Sequence, residues 1–336
     1  MIAHALLGFL ASAAVVVAAG IMLGTVAERI ATLSGLGRVW TGAVLLAAAT
    51  SLPELVTDVS AVRIGLPNLA AGDLFGSNLA NMLILALLGL LPAKEPVPRR
   101  DTSDAITACL AVLLNALVMA FLIAPPHLVV AGLHPQVVLL PVVYLFGMRV
   151  LYLEGATKHA DSAGMTLGER FASARSLAKP LTLPVAAFVL GATLIFFAAP
   201  VLANSAGSLA QVSGLGSSFV GTWLVGLTTA MPELVTSVTA VAIGAAELAA
   251  GTLFGSCAFN MVIFFAMDLA CAKGSVFSAL DPVHVVTGSL SMALMTLGLA
   301  TVSYRPFRWP AIRERGSMLI LAGYVSSIGL VFAYTR

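Results

Sequence analysis

Apolar segments that are each long enough to cross a lipid bilayer follow one another along almost the whole chain of 336 residues. A helix needs about 20 apolar residues to span the hydrocarbon core. Ten such segments lie near 3–27, 39–64, 68–92, 104–124, 135–154, 181–204, 217–244, 247–271, 282–302 and 316–335. Because little chain remains between them, the sequence predicts an all-α membrane protein with ten transmembrane helices.

The composition excludes an ordinary soluble protein. Hydrophobic residues make up 60% of the chain and charged residues only 10%, whereas soluble domains carry about 25% charged residues. The net charge of +2 leaves no basic surface for phosphates, so we expect no nucleic-acid partner. The expected surroundings are the lipid bilayer. The oligomeric state is left open, and a monomer is compatible with the sequence.

The distribution of Lys and Arg predicts the orientation. With the N-terminus outside, 13 of the 17 basic residues lie in cytoplasmic loops, and only Arg63, Lys273 and Arg336 lie outside. Arg149 lies within span five. This asymmetry follows the positive-inside rule. We therefore expect a multi-pass protein of the cell membrane (plasma or inner), with its N-terminus outside.

The two halves of the chain repeat one another. The segment TSLPELVT at 50–57 recurs as TAMPELVT at 229–236, an offset of 179 residues. With that offset, 34–82 matches 213–261 at 27 of 49 positions without a gap. Five spans separate each element from its copy, and five is odd, so the copies cross the membrane in opposite directions. This is the inverted repeat of many secondary transporters.

The repeat divides the chain into two halves and a connection. Two five-helix repeats are predicted at 1–154 and 181–336, and a polar cytoplasmic linker at 155–180. The most similar segments of the two halves cover about 42–84 and about 221–263.

The central feature of each repeat is a Pro-Glu pair in the middle of a span. Glu54 follows Pro53, and Glu233 follows Pro232. A carboxylate at the bilayer centre costs about 3 kcal/mol on insertion scales, so it requires a partner or a function. Proline has no N–H for the preceding turn, so helices 2 and 7 are predicted to be broken, with free carbonyl oxygens beside a carboxylate. Such oxygens suit a hard cation, and Ca²⁺ takes about six to eight of them.

Other polar residues accompany both Pro-Glu pairs. Ser77 and Asn81 lie four residues apart on one helical face, and Ser256 and Asn260 repeat them. Hydroxyl residues flank both breaks: Thr50, Ser51, Thr228 and Thr229. Of these, Thr228 is expected in a vestibule or behind the ligands, in a supporting role. Glycines at 72, 76, 251 and 255 are predicted to allow close helix approach.

Three aspartates in or near the spans have expected roles that differ from those of the two glutamates. Asp58 and Asp73 have no acidic counterpart in the second repeat. We expect them in a vestibule or behind the ligands, where they recruit cations or accept a bond from a nearby hydroxyl. Asp268 lies near a span end and is expected to be solvated.

These segments resemble a known family. ATSLPE at 49–54 with GSNLAN at 76–81, and TTAMPE at 228–233 with GSCAFN at 255–260, are similar to the two alpha-repeats of the cation/calcium exchanger superfamily. The closest branch is the prokaryotic sodium/calcium exchangers. The resemblance implies a core of eight helices and two long helices, spans 1 and 6, that slide to switch access.

The resemblance also implies a set of ligands for the transported ions Ca²⁺ and Na⁺, with no cofactor. It assigns side-chain oxygens at Glu54, Glu233, Asn81, Thr50, Ser51, Ser77, Thr229 and Ser256, with Asn260 in the repeated amide position. Backbone carbonyls at Ala47 and Gly226 would lie near the sodium sites. The implied activity is Na⁺/Ca²⁺ antiport by alternating access at one acidic centre near the midplane.

The chain departs from the family pattern at two site positions. Ala230 stands where the family often has Ser, and Asn260 stands where several relatives, including potassium-dependent ones, have Asp. Exchange of another cation or of H⁺ for Ca²⁺ therefore remains an alternative, because two close carboxylates can also titrate. The absence of a pore-loop filter disfavours a cation channel. The absence of HExxH disfavours one intramembrane enzyme class, and we expect no enzyme activity.

Overall fold

The computed structural model describes residues 2–34, 46–90, 102–130, 133–163, 182–242, 246–272, 274–303 and 310–334. Most of these residues are helical. The helices are α1 (Ile2–Ser34), α2 (Ala47–Thr50), α3 (Leu52–Arg63), α4 (Pro67–Leu90), α5 (Thr102–Ile123), α6 (Pro135–Ala163), α7 (Thr182–Ser213), α8 (Ser217–Val220), α9 (Gly226–Thr229), α10 (Met231–Ala242), α11 (Ala246–Ala270), α12 (Val283–Ser303) and α13 (Pro310–Tyr334). A π-helical turn, Gly221–Val225, joins α8 to α9, and a short 3₁₀ helix covers Val276–Ala279.

The predicted all-helical membrane architecture is confirmed for the described ranges. Eight of these helices are long and apolar enough to cross a bilayer: α1, α4, α5, α6, α7, α11, α12 and α13. Ser217–Thr229 and Met231–Ala242 meet the same criteria together, are bent by 40° at their junction, and make a ninth crossing if the pair is one broken span. The remaining predicted span, 39–64, begins outside the described residues and continues as α2 and α3. The count of ten and the inverted arrangement stay predictions.

Both predicted helix breaks are present. Ser51, with φ −86° and ψ 8°, separates α2 from α3, and Ala230, with φ −77° and ψ 0°, separates α9 from α10. Each new helix has its proline in the first turn, where the missing N–H is tolerated. The residue after the proline is therefore also in the first turn, and this places Glu54 and Glu233 directly beside the breaks.

The helix α4 packs backbone against backbone on the π-helical turn and its neighbours. A Cβ added at Gly72 would lie 2.6 Å from the carbonyl oxygen of Ser218, and one added at Gly226 would lie 2.8 Å from the amide nitrogen of Ser77. A Cβ on Gly76 or Gly221 would also overlap the facing backbone. The predicted close approach at Gly72 and Gly76 is thus confirmed, and it joins the two repeats.

The two long helices α1 and α7 pack side by side, and they also contact the broken helices, α1 mainly α10 and α7 mainly α3. Gly20 of α1 lies directly against both prolines. A Cβ there would overlap the Pro232 ring and would lie 3.4 Å from Cγ of Pro53. A single point on α1 therefore contacts both helix breaks.

The expectation that Asp268 is solvated is wrong. Its side chain is buried, and its Oδ1 accepts bonds from Ser275 Oγ at 2.8 Å and from the Val276 amide at 2.9 Å. Its Oδ2 lies 2.6 Å from Nδ1 of His134. The segment after α11 folds back over the helix end and supplies these donors, which a count of span residues cannot anticipate.

The membrane-capable part of α6 ends at Glu154, as predicted for span five, and the division into two repeats and a linker stays a prediction. Helix α6 continues to Ala163, inside the predicted 155–180 segment, and 164–180 lie outside the described residues. The residues after 154 are more polar but remain helical, so α6 continues beyond the end of the apolar span.

We expect Gly76→Ala to lower the free energy of unfolding by about 2 kcal/mol, because its methyl group would overlap the Thr222 backbone and force a shift in a close-packed contact. The matched control is Gly329→Ala in α13, where a Cβ meets no heavy atom within 4 Å. Thermal denaturation in detergent micelles measures both. Equal midpoints for the two variants would contradict the close packing.

Candidate functional site

Each buried glutamate is held by a serine from the helix that follows it. Ser77 Oγ donates to Glu54 Oε1 at 3.0 Å, and Ser256 Oγ donates to Glu233 Oε1 at 3.1 Å. Both glutamates are fully buried. The donor lies 23 residues after the acceptor in both cases. The two repeats therefore build the same contact, as expected from their sequence identity.

Further bonds cross from one repeat to the other. Ser51 Oγ at the first break donates to Glu233 Oε1 at 3.3 Å. The hydroxyls of Thr50 and Ser256 lie 3.5 Å apart. In the opposite direction, Asn260 Nδ2 donates to Ser77 Oγ at 3.2 Å. The two breaks and their carboxylates thus form one buried polar cluster between the repeats.

The amide residues differ between the repeats. Asn260 Nδ2 also donates to Asn78 Oδ1 at 3.0 Å. The partner of Asn81 Nδ2 among the described residues is the weaker acceptor Cys257 Sγ, at 3.8 Å. Cys257 occupies the position that Asn78 has in the first repeat. Sequence reasoning did not place Asn78 in the site. The signal that would have found it is its position one residue after Ser77.

The cluster contains buried oxygens without donors. Within the described ranges, Glu54 Oε2, Glu233 Oε2, Asn81 Oδ1 and Asn260 Oδ1 accept no hydrogen bond. A buried oxygen without a donor is costly, so such groups are usually satisfied by water or an ion. Two carboxylate oxygens and two amide oxygens are the ligand types that hard cations take. The residues present therefore fit a cation.

The two predicted backbone ligands lie in the helical turns before the breaks. The Ala47 carbonyl accepts the Ser51 amide at 2.9 Å, and the Gly226 carbonyl accepts the Ala230 amide at 3.2 Å. The Ala47 carbonyl also accepts the Thr50 hydroxyl at 3.2 Å, and the Gly226 carbonyl accepts the Thr229 hydroxyl at 3.4 Å. A carbonyl oxygen has two lone pairs, so both carbonyls are already occupied within the protein, and a role in ion binding stays a prediction.

Thr228 is not part of the cluster. Its hydroxyl donates to the Leu224 carbonyl of its own helix at 2.6 Å. The residue lines an apolar groove of about 550 Å³ between α1 and the α8–α10 region. No hydrogen bond among the described residues links Thr228 to the cluster, so its supporting role at the ion site stays a prediction.

Asp73 does join the cluster, through Thr229. Thr229 Oγ1 donates to Asp73 Oδ1 at 2.8 Å. The Asp73 carboxyl also lies within hydrogen-bonding reach of the Asp58 carboxyl. Both aspartates are fully buried. They lie inside the protein beside the glutamates, and not in an open vestibule.

Comparison with known proteins gives a consistent result. The sequence matches the family model described as sodium/calcium exchanger protein over residues 4–155 and 183–334. It is 25% identical over 293 residues to the inner membrane protein YrbG of Escherichia coli (strain K12), an alignment that covers 87% of this chain and 85% of that protein.

Two solved structures have the same fold. A structure of the sodium-calcium exchanger NCX_Mj superimposes with a TM-score of 0.64 at 18% identity, covering 98% of this chain and 99% of that one. The structure of native YfkE superimposes with a TM-score of 0.67 at 15% identity, covering 97% and 92%.

We expect Thr229→Val to lower the free energy of unfolding by about 1–3 kcal/mol, since it removes the hydroxyl donor of a buried carboxyl while keeping the shape. The neighbouring Thr228→Val is the control, because that hydroxyl bonds only its own helix. Thermal denaturation in detergent compares the two. A loss of stability in Thr228→Val as large as in Thr229→Val would argue against the Asp73 contact.

Proposed function

Because the chain belongs to the sodium/calcium exchanger protein family, we propose that this cation antiporter exchanges Na⁺ for Ca²⁺ by alternating access. The proposed site is the cluster around Glu54 and Glu233. The membrane would be the cell membrane, in the orientation predicted from the basic residues, with the N-terminus outside.

The observation that carries this proposal is a set of four buried oxygens, at Glu54, Glu233, Asn81 and Asn260, that accept no hydrogen bond from any described residue. Two ionised glutamates carry a charge of −2, which one Ca²⁺ neutralises. The serine hydroxyls in contact with the two carboxylates have lone pairs for further coordination. Sodium ions take the same oxygen types, so Na⁺ and Ca²⁺ would compete for one centre.

The hydrogen bonds between the two repeats provide a route by which cation binding at the cluster changes the positions of the surrounding helices. Ser51 ties the first break to Glu233, and Asn260 ties the second repeat to Ser77. A cation drawn between the glutamates would replace or shorten these contacts and so move the two breaks relative to each other. Gly20 of α1 touches the prolines of both breaks, so α1 is the element in position to respond.

The proposal is tested by ⁴⁵Ca²⁺ uptake into proteoliposomes loaded with Na⁺. We expect uptake that requires the outward Na⁺ gradient. Glu54→Gln and Glu233→Gln should each reduce it at least about 100-fold, because removal of one buried charged ligand costs about 3 kcal/mol or more. Asp281→Asn, an exposed carboxylate, is the matched control and should transport like wild type.

The same vesicles distinguish the alternatives. Uptake that responds only to a pH gradient would replace the proposal by proton/calcium exchange. Wild-type vesicles that take up no Ca²⁺ under either gradient would overturn Ca²⁺ as the substrate and direct the search to other cations. Unitary currents from purified protein would indicate a channel.

A second prediction concerns Ala230, which occupies the position that Ser51 has in the first repeat. Ser51 donates to Glu233, while Glu54 Oε2 has no donor in the described ranges. We expect Ala230→Ser to add a hydroxyl oxygen beside Glu54 and to lower the Na⁺ concentration for half-maximal exchange about fivefold, the equivalent of about 1 kcal/mol.

The measurement is Na⁺-dependent ⁴⁵Ca²⁺ uptake over a Na⁺ titration. Ala230→Val is the control for volume, because it fills the same space without a hydroxyl. If the Ser and Val variants shift the Na⁺ dependence equally, the hydroxyl is not the cause.

A further inference from the structure

Asp58 and Asp73 form a second acidic group beside the glutamate cluster. Both side chains have no exposed surface, and their carboxyl groups lie within hydrogen-bonding reach of each other. Asp58 is four residues after Glu54 in α3, and Asp73 is four residues before Ser77 in α4. The pair therefore lies one helical turn from the proposed exchange site on both helices.

The oxygens of this pair are almost all unsatisfied. Within the part of the chain that the structure describes, neither Asp58 oxygen accepts a hydrogen bond, and Asp73 Oδ2 accepts none. The one donor is the Thr229 hydroxyl, which bonds Asp73 Oδ1. No Lys or Arg of the described ranges bonds either carboxyl. Two enclosed carboxyl groups side by side are stabilised either by a cation between or beside them or by the uptake of a proton.

The second repeat has no such pair. The equivalent positions hold Ser237 and Thr252, so the arrangement breaks the symmetry of the fold. In the orientation predicted from the basic residues, span two runs outward and span three runs inward. Asp58 and Asp73 then both lie on the outer side of Glu54, on one face of the exchange site only.

We propose that Asp58 and Asp73, with the hydroxyl of Thr229, form a second cation site that binds one divalent hard cation of the Ca²⁺ class. The charge of two carboxylates matches one divalent ion. Three carboxylate oxygens without donors and a hydroxyl lone pair supply part of the shell, and water completes the about six to eight ligands. This site rests on the proposed exchange function as its neighbour: it shares Thr229 with the glutamate cluster, but its two carboxylates are distinct from Glu54 and Glu233.

The test is equilibrium dialysis of purified protein in detergent against ⁴⁵Ca²⁺. Glu54→Gln/Glu233→Gln removes both charges of the exchange site and should still bind one Ca²⁺ per chain. Adding Asp58→Ser or Asp73→Thr should weaken that residual binding at least about tenfold. These replacements introduce the residues that the second repeat carries at the same positions, which favours folding. Asp281→Asn in the same background should leave the residual Ca²⁺ in place.

Two results would overturn the proposal. One is a Glu54→Gln/Glu233→Gln protein, folded by its thermal transition, that binds no Ca²⁺, which would mean that the aspartates share a proton. The other is residual Ca²⁺ that both Asp58→Ser and Asp73→Thr leave unchanged. Failure of Na⁺/Ca²⁺ exchange is distinguishable, because it would abolish gradient-driven uptake in wild type while the residual Ca²⁺ in the double variant remained.

Discussion

The break that proline imposes on a membrane helix is the constraint on which the rest of this structure depends. In hydrocarbon, every backbone polar group must be satisfied within the protein, so a broken helix persists only where other helices enclose it. Pro53 and Pro232 restart their helices after Ser51 and Ala230, and the first turn of each new helix carries a buried glutamate. Serines of α4 and α11 then bond these glutamates. Close glycine packing of α4 on the π-helical turn brings the second break against the first repeat.

The two repeats have the same basic arrangement, but several residues around the two helix breaks differ between them. Ser77 and Ser256 hold their glutamates in the same way. Ser51, by contrast, has only Ala230 as its counterpart, and Asn78 has Cys257. The Thr50 hydroxyl lies 3.5 Å from the Ser256 hydroxyl, whereas the Thr229 hydroxyl donates a hydrogen bond to the Asp73 carboxyl. The hydroxyls of the first break therefore lie against Glu233 and Ser256 of the second repeat, whereas the second break is bonded to Asp73, which has Thr252 as its counterpart. The two sides of the cluster thus present different oxygens.

The long helices complete this arrangement. Helices α1 and α7 pack on each other and on the broken helices, and α1 touches both prolines through Gly20. Much of the outer surface of α7 is apolar and exposed, including Phe196 and Phe197, as expected for a helix that faces lipid. Glycines such as Gly20 and Gly191 let the backbones of these two helices approach their neighbours closely, as small residues do between membrane helices.

The sequence by itself determined the membrane class and the helix breaks, and it pointed to most residues of the proposed site. Hydropathy, proline chemistry and the internal repeat are local or periodic signals, and they located Glu54, Glu233, Ser77, Ser256 and Asn260 before any contact was known. Only the tertiary structure decided which oxygens lack donors, that Asn78 joins the cluster, that Thr228 faces a groove on α1, and that Asp268 is buried against His134. These outcomes depend on partners that are far apart in sequence, such as Ser51 and Glu233. A hydrogen bond across two packed helices leaves no periodic trace in either segment, so it becomes visible only once the helices are in place.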